Sequence, residues 1–144
     1  MTIVPIDTKS GPHADLTNER IAGFLETHLD QYGDRRADIL KCLDYVFDPQ
    51  RGGFVTLAVE GDAIRGAVVV NHTGMGGYIP ENILVYIAVD RSMRGRGVGK
   101  LLMREAIARA QGAIALHVES DNPARKLYEA LGFTNKYLEM RLHR

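Results

Sequence analysis

The chain lacks most of the features that would place it quickly. Its one cysteine, Cys42, cannot build a disulfide framework and fits a reducing compartment. Charge of one sign is missing: Lys+Arg and Asp+Glu both number 18, so the formal net charge is zero. That balance gives no basic footprint for nucleic acid. No apolar run approaches the roughly 20 residues of a membrane span. The opening Met1-Thr2-Ile3-Val4-Pro5 has neither the basic nor the apolar block of a signal peptide. There is no internal repeat and no low-complexity segment. The expectation is a cytoplasmic protein with no membrane and no nucleic-acid partner. Residues 1–144 are expected to form one domain, and a chain of this length buries about two-thirds of its unfolded surface.

The periodicity of the apolar residues gives the elements. Thr2 to Ile6 reads as a first strand. Ile21, Phe24, Leu25, His28 and Leu29 follow the spacing of one helical face, with Asp15 or Thr17 as its cap. Tyr32-Gly33-Asp34 breaks that helix. Asp34 is then the expected cap of a second one carrying Ile39, Cys42, Leu43, Val46 and Phe47, ending before Pro49. Phe54–Glu60 and Ala63–Val70 read as strands joined by a Gly61-Asp62 hairpin turn. Residues 72–78 form a glycine-rich loop. Ile83 to Val89 is nearly continuously apolar, as a strand buried on both faces should be. Lys100–Gln111 reads as a helix, Ala113–Val118 as a strand, Pro123–Leu131 as the last helix and Thr134–Leu142 as the closing strand or strands. This order predicts an α/β chain of the α+β kind. Its mixed, mostly antiparallel central sheet of six to seven strands should carry helices on both faces.

The strongest local signal is Val85-Tyr86-Ile87-Ala88-Val89-Asp90-Arg91-Ser92-Met93-Arg94-Gly95-Arg96-Gly97-Val98-Gly99-Lys100, a buried strand, a glycine-rich turn with arginines and a helix start. The first N–H groups of a helix have no intrahelical partner and carry partial positive charge, so they attract phosphate oxygens. Gly95, Gly97 and Gly99 let backbone approach closely, and Arg94 and Arg96 add charged donors. The spacing excludes two common phosphate loops. A Walker A loop would need glycine at Arg94 and Ser or Thr at Leu101. The dinucleotide fingerprint would need glycine at Lys100.

The pattern Arg/Gln-x-x-Gly-x-Gly/Ala is met by Arg94-Gly95-Arg96-Gly97-Val98-Gly99, and it resembles the acetyl-CoA loop of the GNAT N-acetyltransferase superfamily. Asp121-Asn122-Pro123-Ala124-Arg125-Lys126-Leu127-Tyr128-Glu129-Ala130-Leu131-Gly132-Phe133 is similar to that family's second signature. The two motifs occur in the family's order within residues 83–133, and two helices after the first strand match its layout. The resemblance implies a GNAT-like acyl-CoA N-acyltransferase fold and an N-acetyltransferase that moves an acetyl group from acetyl-CoA, its cosubstrate, to a primary amine. It implies no metal, and family members are often homodimers.

Acyl transfer to an amine needs a neutral nucleophile, a stabilised carbonyl oxygen and a proton for the leaving thiolate. The resemblance gives the last task to Tyr128; a phenol ordinarily titrates near 10 and a thiol at about 8.5. It gives carbonyl polarisation to the backbone N–H of Val89, with Ile87 and Ala88 beside the pantetheine arm. Gly95, Arg96, Gly97, Val98, Gly99, Lys100 and Arg94 fall on the pyrophosphate. Asn122 falls on the pantetheine, with Asp121 as the other position one of the two would fill while its neighbour caps the helix. The general base is where this chain departs. Many members carry Glu at the position of Ile83; Glu81, on the same face by strand alternation, His117 and a water relay are the alternatives. Tyr32, Asp34, Asp38, His72, Met75 and Tyr78 are the pieces available to select the amine. A non-catalytic acyl-CoA-binding module, or a transferase acting on a protein lysine or N-terminus, are the alternative functions.

Overall fold

The computed structural model describes residues 1–144. Five strands form one sheet in the order β1-β2-β3-β4-β5. They are β1 (Thr2–Asp7), β2 (Gly53–Glu60), β3 (Ala63–His72), β4 (Asn82–Val89) and β5 (Ile114–Leu116). The first four are antiparallel neighbours, and β5 runs parallel to β4. Gly61, at φ 62, turns β2 into β3 as its sequence position requires. The helices are α1 (Asn18–His28), α2 (Arg36–Phe47), α3 (Val98–Arg109) and α4 (Ala124–Ala130).

Each face of the sheet carries its own apolar layer. On one face Ile21 and Leu25 of α1 and Ile39, Leu43 and Val46 of α2 pack on Val55, Leu57, Ala67, Val69, Tyr86 and Ala88. On the other, Leu102, Met103 and Ala106 of α3 and Tyr128 of α4 pack on Phe54, Ala58, Val68, Val70 and Leu84. β2 and β3 are therefore buried on both sides, which is why their sequences run apolar with little alternation.

β4 holds the feature that shapes the site. Val69 pairs with Tyr86 and Val70 with Leu84, so Val85 has no partner and forms a β-bulge. The extra residue reverses the facing of the strand. Leu84 packs toward α3, whereas Tyr86 and Ala88 pack toward α1 and α2. β5 accompanies β4 only at Asn82, Ile83 and Leu84. From the bulge onward, β4 has no strand on that side.

Two expectations are corrected. The sheet has five strands instead of six to seven, because Thr134–Leu142 forms no strand. The apolar alternation of Leu138, Met140 and Leu142 is present, but these side chains are largely exposed and their backbone joins no ladder. Alternation alone does not make a strand without a partner edge, and β5 offers only three residues. Asp34 does not cap α2 either. The Arg36 N–H is met by Glu26 Oε2 of α1 at 3.0 Å, which leaves Asp34 for another bond. Thr17, one of the two expected caps, does cap α1 by accepting from the Arg20 N–H at 3.3 Å.

α3 is seated on β3 at Gly66. A Cβ there would lie 2.7 Å from Leu102 Cδ1 and 3.1 Å from Val98 Cγ1. Gly66→Ala therefore overpacks the contact that sets the depth of α3. It should cost roughly 1 to 2 kcal/mol, read as a lower urea midpoint at unchanged slope.

Candidate active site

The opening beside β4 is lined by backbone before any side chain is considered. The Asp90 N–H donates to the Arg65 carbonyl on the β3 side at 2.8 Å. N–H directions alternate along a strand, so the Val89 N–H points the other way, into the opening left by β5. Ile87 shares that direction. The two N–H groups stand free where a carbonyl oxygen could accept from them.

α3 aims its N-terminus at the same place. Gly97 caps it at φ 81, a left-handed conformation that glycine adopts without strain. The first backbone bond of the helix is Leu101 N–H to the Gly97 carbonyl at 3.0 Å. The N–H groups of Val98, Gly99 and Lys100 are thus without intrahelical acceptors. Gly99 is the meeting point: a Cβ on it would lie 3.6 Å from both Val89 Cγ2 and Leu127 Cδ2. The loop, β4 and α4 converge there, so the two sequence motifs share one site.

Tyr128 follows Leu127 in α4 and is only 7% exposed. Burial pushes its phenol up to about 12. It packs edgewise near Phe133, with ring centroids 6.2 Å apart. The occluded polar atoms without partners are Asn18 Oδ1 and Arg65 Nε; the Tyr128 oxygen is not one of them. Asn122 Oδ1 accepts from the Ala124 N–H at 2.9 Å, so this residue closes the turn that starts α4.

The arginines of the loop behave differently from one another. Arg94 donates to Asp30 Oδ2 at 3.2 Å and to the His28 carbonyl at 2.9 Å. Arg91 donates to Asp30 Oδ1 at 2.8 Å and to the Thr27 carbonyl at 2.7 Å. Both are thus tied to the end of α1. Arg96 and Lys100 are exposed, and the one contact of Arg96 is a long one to Met93 Sδ. Asp30 sits at φ 56, the one non-glycine residue with positive φ. The hydrogen bond from Arg91 is the main reason its carboxyl lies below the ordinary 3.8. Burial lowers His28, against the pull of Asp90, and its Nδ1 accepts from the Arg91 N–H at 3.3 Å.

Glu81 is not brought to this site. It precedes β4, at the opposite end from Val89, roughly 25 Å away at the rise of an extended strand. Its Oε2 accepts from the Ala113 N–H at 3.1 Å. It lines a separate cavity of ≈ 500 Å³ with Asp7, His72, Asn82 and Arg109. The residues offered for amine selection divide in the same way. His72, Met75 and Tyr78 lie at the Glu81 end, because His72 pairs with Asn82. Tyr32 and Asp34 lie at the opening: Tyr32 donates to the Asp121 carbonyl at 3.3 Å, and Asp34 Oδ2 accepts from the Tyr86 hydroxyl at 2.6 Å. His117 is exposed just beyond β5.

Tyr86, Asp30 and Arg91 were missed as site residues. Tyr86 carried a usable signal, since a phenol inside an aliphatic buried strand must find a hydrogen-bond partner. Its partner Asp34 lies 52 residues away in sequence, which no local pattern exposes.

Asp90 anchors the start of the loop. Hydrogen bonds from the Ser92 hydroxyl and N–H, then from Arg65, hold its carboxyl at about 2 against an ordinary 3.8. A carboxyl more acidic in the folded chain stabilises the fold above its ordinary pKa and loses that contribution as pH falls. Asp90→Asn should therefore melt lower at neutral pH. The fall in its melting temperature between about pH 4 and pH 2 should be shallower than in the parent chain, as circular dichroism melts would record.

Comparison with known proteins bears on the family and the fold. A family model described as "Acetyltransferase (GNAT) family" matches residues 13–133. N-alpha-acetyltransferase RimI of Mycobacterium tuberculosis is 40% identical over 88 residues, which cover 57% of this chain and 56% of that protein. The match thus spans little more than half the length of that relative. The crystal structure of aminoglycoside 6'-N-acetyltransferase AAC(6')-IG from Acinetobacter haemolyticus superposes with a TM-score of 0.70 at 18% identity, covering 100% of this chain and 98% of that one. Aminoglycoside N-acetyltransferase AAC(6')-Iy in complex with CoA gives a TM-score of 0.68 at 18% identity, covering 99% and 93%. At such identities the likeness establishes the fold.

Proposed function

This chain belongs to the acetyltransferase (GNAT) family, and we propose that it transfers an acetyl group from acetyl-CoA to a primary amine by direct attack. The observation that carries this reading is the convergence at Gly99 of the α3 N-terminus, the free β4 backbone at Val89 and the α4 segment with Tyr128.

The parts divide the work by their chemistry. The unpaired N–H groups of Val98, Gly99 and Lys100, with the approach left open by Gly95 and Gly97, suit the pyrophosphate of the coenzyme. Arg96 and Lys100 are the cations free to join them, whereas Arg94 shapes the loop through Asp30 and the His28 carbonyl. Ile87 and Ala88 flank the pantetheine arm, Asn122 lies beside it, and the N–H groups of β4 receive the thioester oxygen. As the amine nitrogen bonds to the carbonyl carbon and the carbon–sulfur bond breaks, the thiolate takes the Tyr128 proton. A phenol held at about 12 is fully protonated at pH 7 and offers its O–H to the leaving sulfur as a hydrogen-bond donor. Because burial also makes it a weaker acid than the thiol it serves, the proton moves only as charge develops on that sulfur. With Glu81 held by Ala113, the proton lost by the amine passes to water at the open mouth.

A second acceptor class has support of its own. The relative at 40% identity is named for transfer to an N-terminal α-amine, so peptide N-termini belong in the acceptor panel beside small amines.

Two measurements test the reading. Incubation with acetyl-CoA and the pooled amines should give a product heavier by one acetyl group in the mass spectrum. Absence of any product while acetyl-CoA binds would leave a coenzyme-binding module. Tyr128→Phe should lower kcat about a hundredfold or more while the Kd for acetyl-CoA stays within about twofold. Unchanged turnover would remove Tyr128 from the mechanism. In the same assay Arg96→Ala should weaken acetyl-CoA binding about tenfold, through loss of a charged phosphate donor.

A further inference from the structure

Away from the coenzyme opening, at the start of β4, the cavity of ≈ 500 Å³ is faced by charges that the chain leaves unpaired. Glu81 has the Ala113 N–H on Oε2, and its Oε1 has no partner. Asp7, at the end of β1, has the Ser10 N–H on Oδ1 at 2.8 Å. Arg109, at the end of α3, donates to the Ile6 and Val55 carbonyls and the Thr56 hydroxyl, and its guanidinium lies over the Phe54 ring at 4.3 Å. Its Nε–H and one Nη2–H remain. Charges of both signs thus face one space, and no ion pair closes between them.

A buried amide points to a ligand. Asn82 is only 1% exposed. Its Nδ2 donates to the Gln111 carbonyl at 2.8 Å and to the Ala113 carbonyl at 3.2 Å, and these two acceptors fix the amide with its oxygen turned the other way. Asn82 Oδ1 accepts from no group of the chain. It is not occluded either, since the occluded polar atoms without partners are Asn18 Oδ1 and Arg65 Nε. The oxygen therefore opens on the cavity that Asn82 lines. The same reasoning leaves the Arg109 Nε–H open to it. A polar atom as deep as Asn82 Oδ1 needs a donor, and the chain supplies none. The Glu81 side chain is seated between two glycines: a Cβ on Gly76 would lie 3.1 Å from Glu81 Cγ, and one on Gly112 would collide with the carboxylate.

The other charges nearby leave this balance in place. Glu105 lies one turn before Arg109 on α3, and burial, opposed by Asp7 and Glu105, pulls the Arg109 guanidinium below its ordinary value. Lys9 is exposed two residues beyond Asp7, and Arg51, past the rim at His72, pairs with Asp48 at 3.6 Å. A simple cation entering the cavity would meet Arg109, and a simple anion would meet Glu81 and Asp7. A molecule that carries both charges avoids both conflicts. We propose that this cavity binds a small zwitterion of the α-amino acid class, with its carboxylate on Arg109 and its ammonium among Asn82 Oδ1, Glu81 and Asp7. An ammonium has three N–H donors for those acceptors. The inference goes beyond the acetyltransferase reading and does not depend on it.

Titration calorimetry on the full chain, without acetyl-CoA, would use L-alanine, L-glutamine, L-glutamate and L-lysine, each beside its Nα-acetyl derivative and its α-carboxamide. At least one of the amino acids should bind with a Kd of about 1 mM or tighter. Both of its derivatives should bind about tenfold or more weakly, since each lacks one charge. Glu81→Gln keeps an acceptor for the Ala113 N–H and should weaken that amino acid about tenfold, as should Arg109→Lys. Melting curves would establish that each variant is folded. Should Arg109→Lys fail to fold, the Arg109 Nε–H resonance of the wild-type chain replaces it: in nitrogen–proton spectra it should shift to saturation along the calorimetric curve. No binding by any of the four, derivatives as tight as the amino acid, an unmoved Nε–H resonance, or wild-type affinity in Glu81→Gln would overturn the proposal. Binding lost in Arg96→Ala or Asp34→Asn but kept in Glu81→Gln would put the ligand at the coenzyme opening and also overturn it. A chain that binds the amino acid but acetylates no amine would keep this site and lose the transferase reading.

Discussion

The separation of β4 from β5 at Val85 is the constraint on which the rest of the molecule depends. A sheet closes its interior by pairing every N–H and C=O, and an interrupted ladder leaves backbone groups without partners. Here the interruption falls in the most apolar strand of the chain, where a bulge turns Tyr86 and Ala88 to one face and leaves Ile87 and Val89 beside the opening. The unpaired N–H groups are stationary because β3 holds the other side of β4 in register as far as Gly66 and Val89. Such groups polarise a carbonyl without reorganising, which is what an acyl-transfer site requires.

The elements around the opening are held by contacts that are mostly backbone or small-residue contacts. α3 rests on Gly66, and Gly99 admits Val89 and Leu127 on either side. The glycines of the loop meet different conditions. Gly95 and Gly97 adopt left-handed backbone, whereas Gly99 lies where β4 and α4 meet and has room for a Cβ in ordinary contact. On its other side the same opening is bordered by polar side chains from α1–α2, Tyr32 and Asp34 among them. The two arginines that reach from the glycine loop to Asp30 tie the two sides together.

Much of this was legible in the order of residues. The β2–β3 hairpin, the buried β4 strand, the glycine loop and the Leu127-Tyr128 helix all follow from periodicity or local turn chemistry, and each is where the sequence places it. The places where sequence and structure part share a cause. Thr134–Leu142 has the alternation of a strand, yet strand formation depends on a free edge supplied by another part of the chain. Asp34 has the residue type and position of a helix cap, yet a phenol 52 residues later binds its carboxylate. Arg94 fits the phosphate motif, and its guanidinium is held by α1. Glu81 shares a face with Ile83 by alternation, but it stands at the far end of β4 with its carboxylate on the Ala113 N–H.

The sequence by itself determined most of the helices and strands, the position of the glycine loop at the start of α3 and the identity of the phenol in α4. Those properties arise from interactions between residues a few positions apart: 3.6-residue and 2-residue periodicity, capping and glycine φ. Tertiary structure alone decided where β4 parts from β5, which arginines are tied to α1, and which carboxylate receives the Tyr86 hydroxyl. Each of those outcomes is a competition among partners distant in sequence, and the winner depends on which surfaces the packed sheet brings within hydrogen-bond reach.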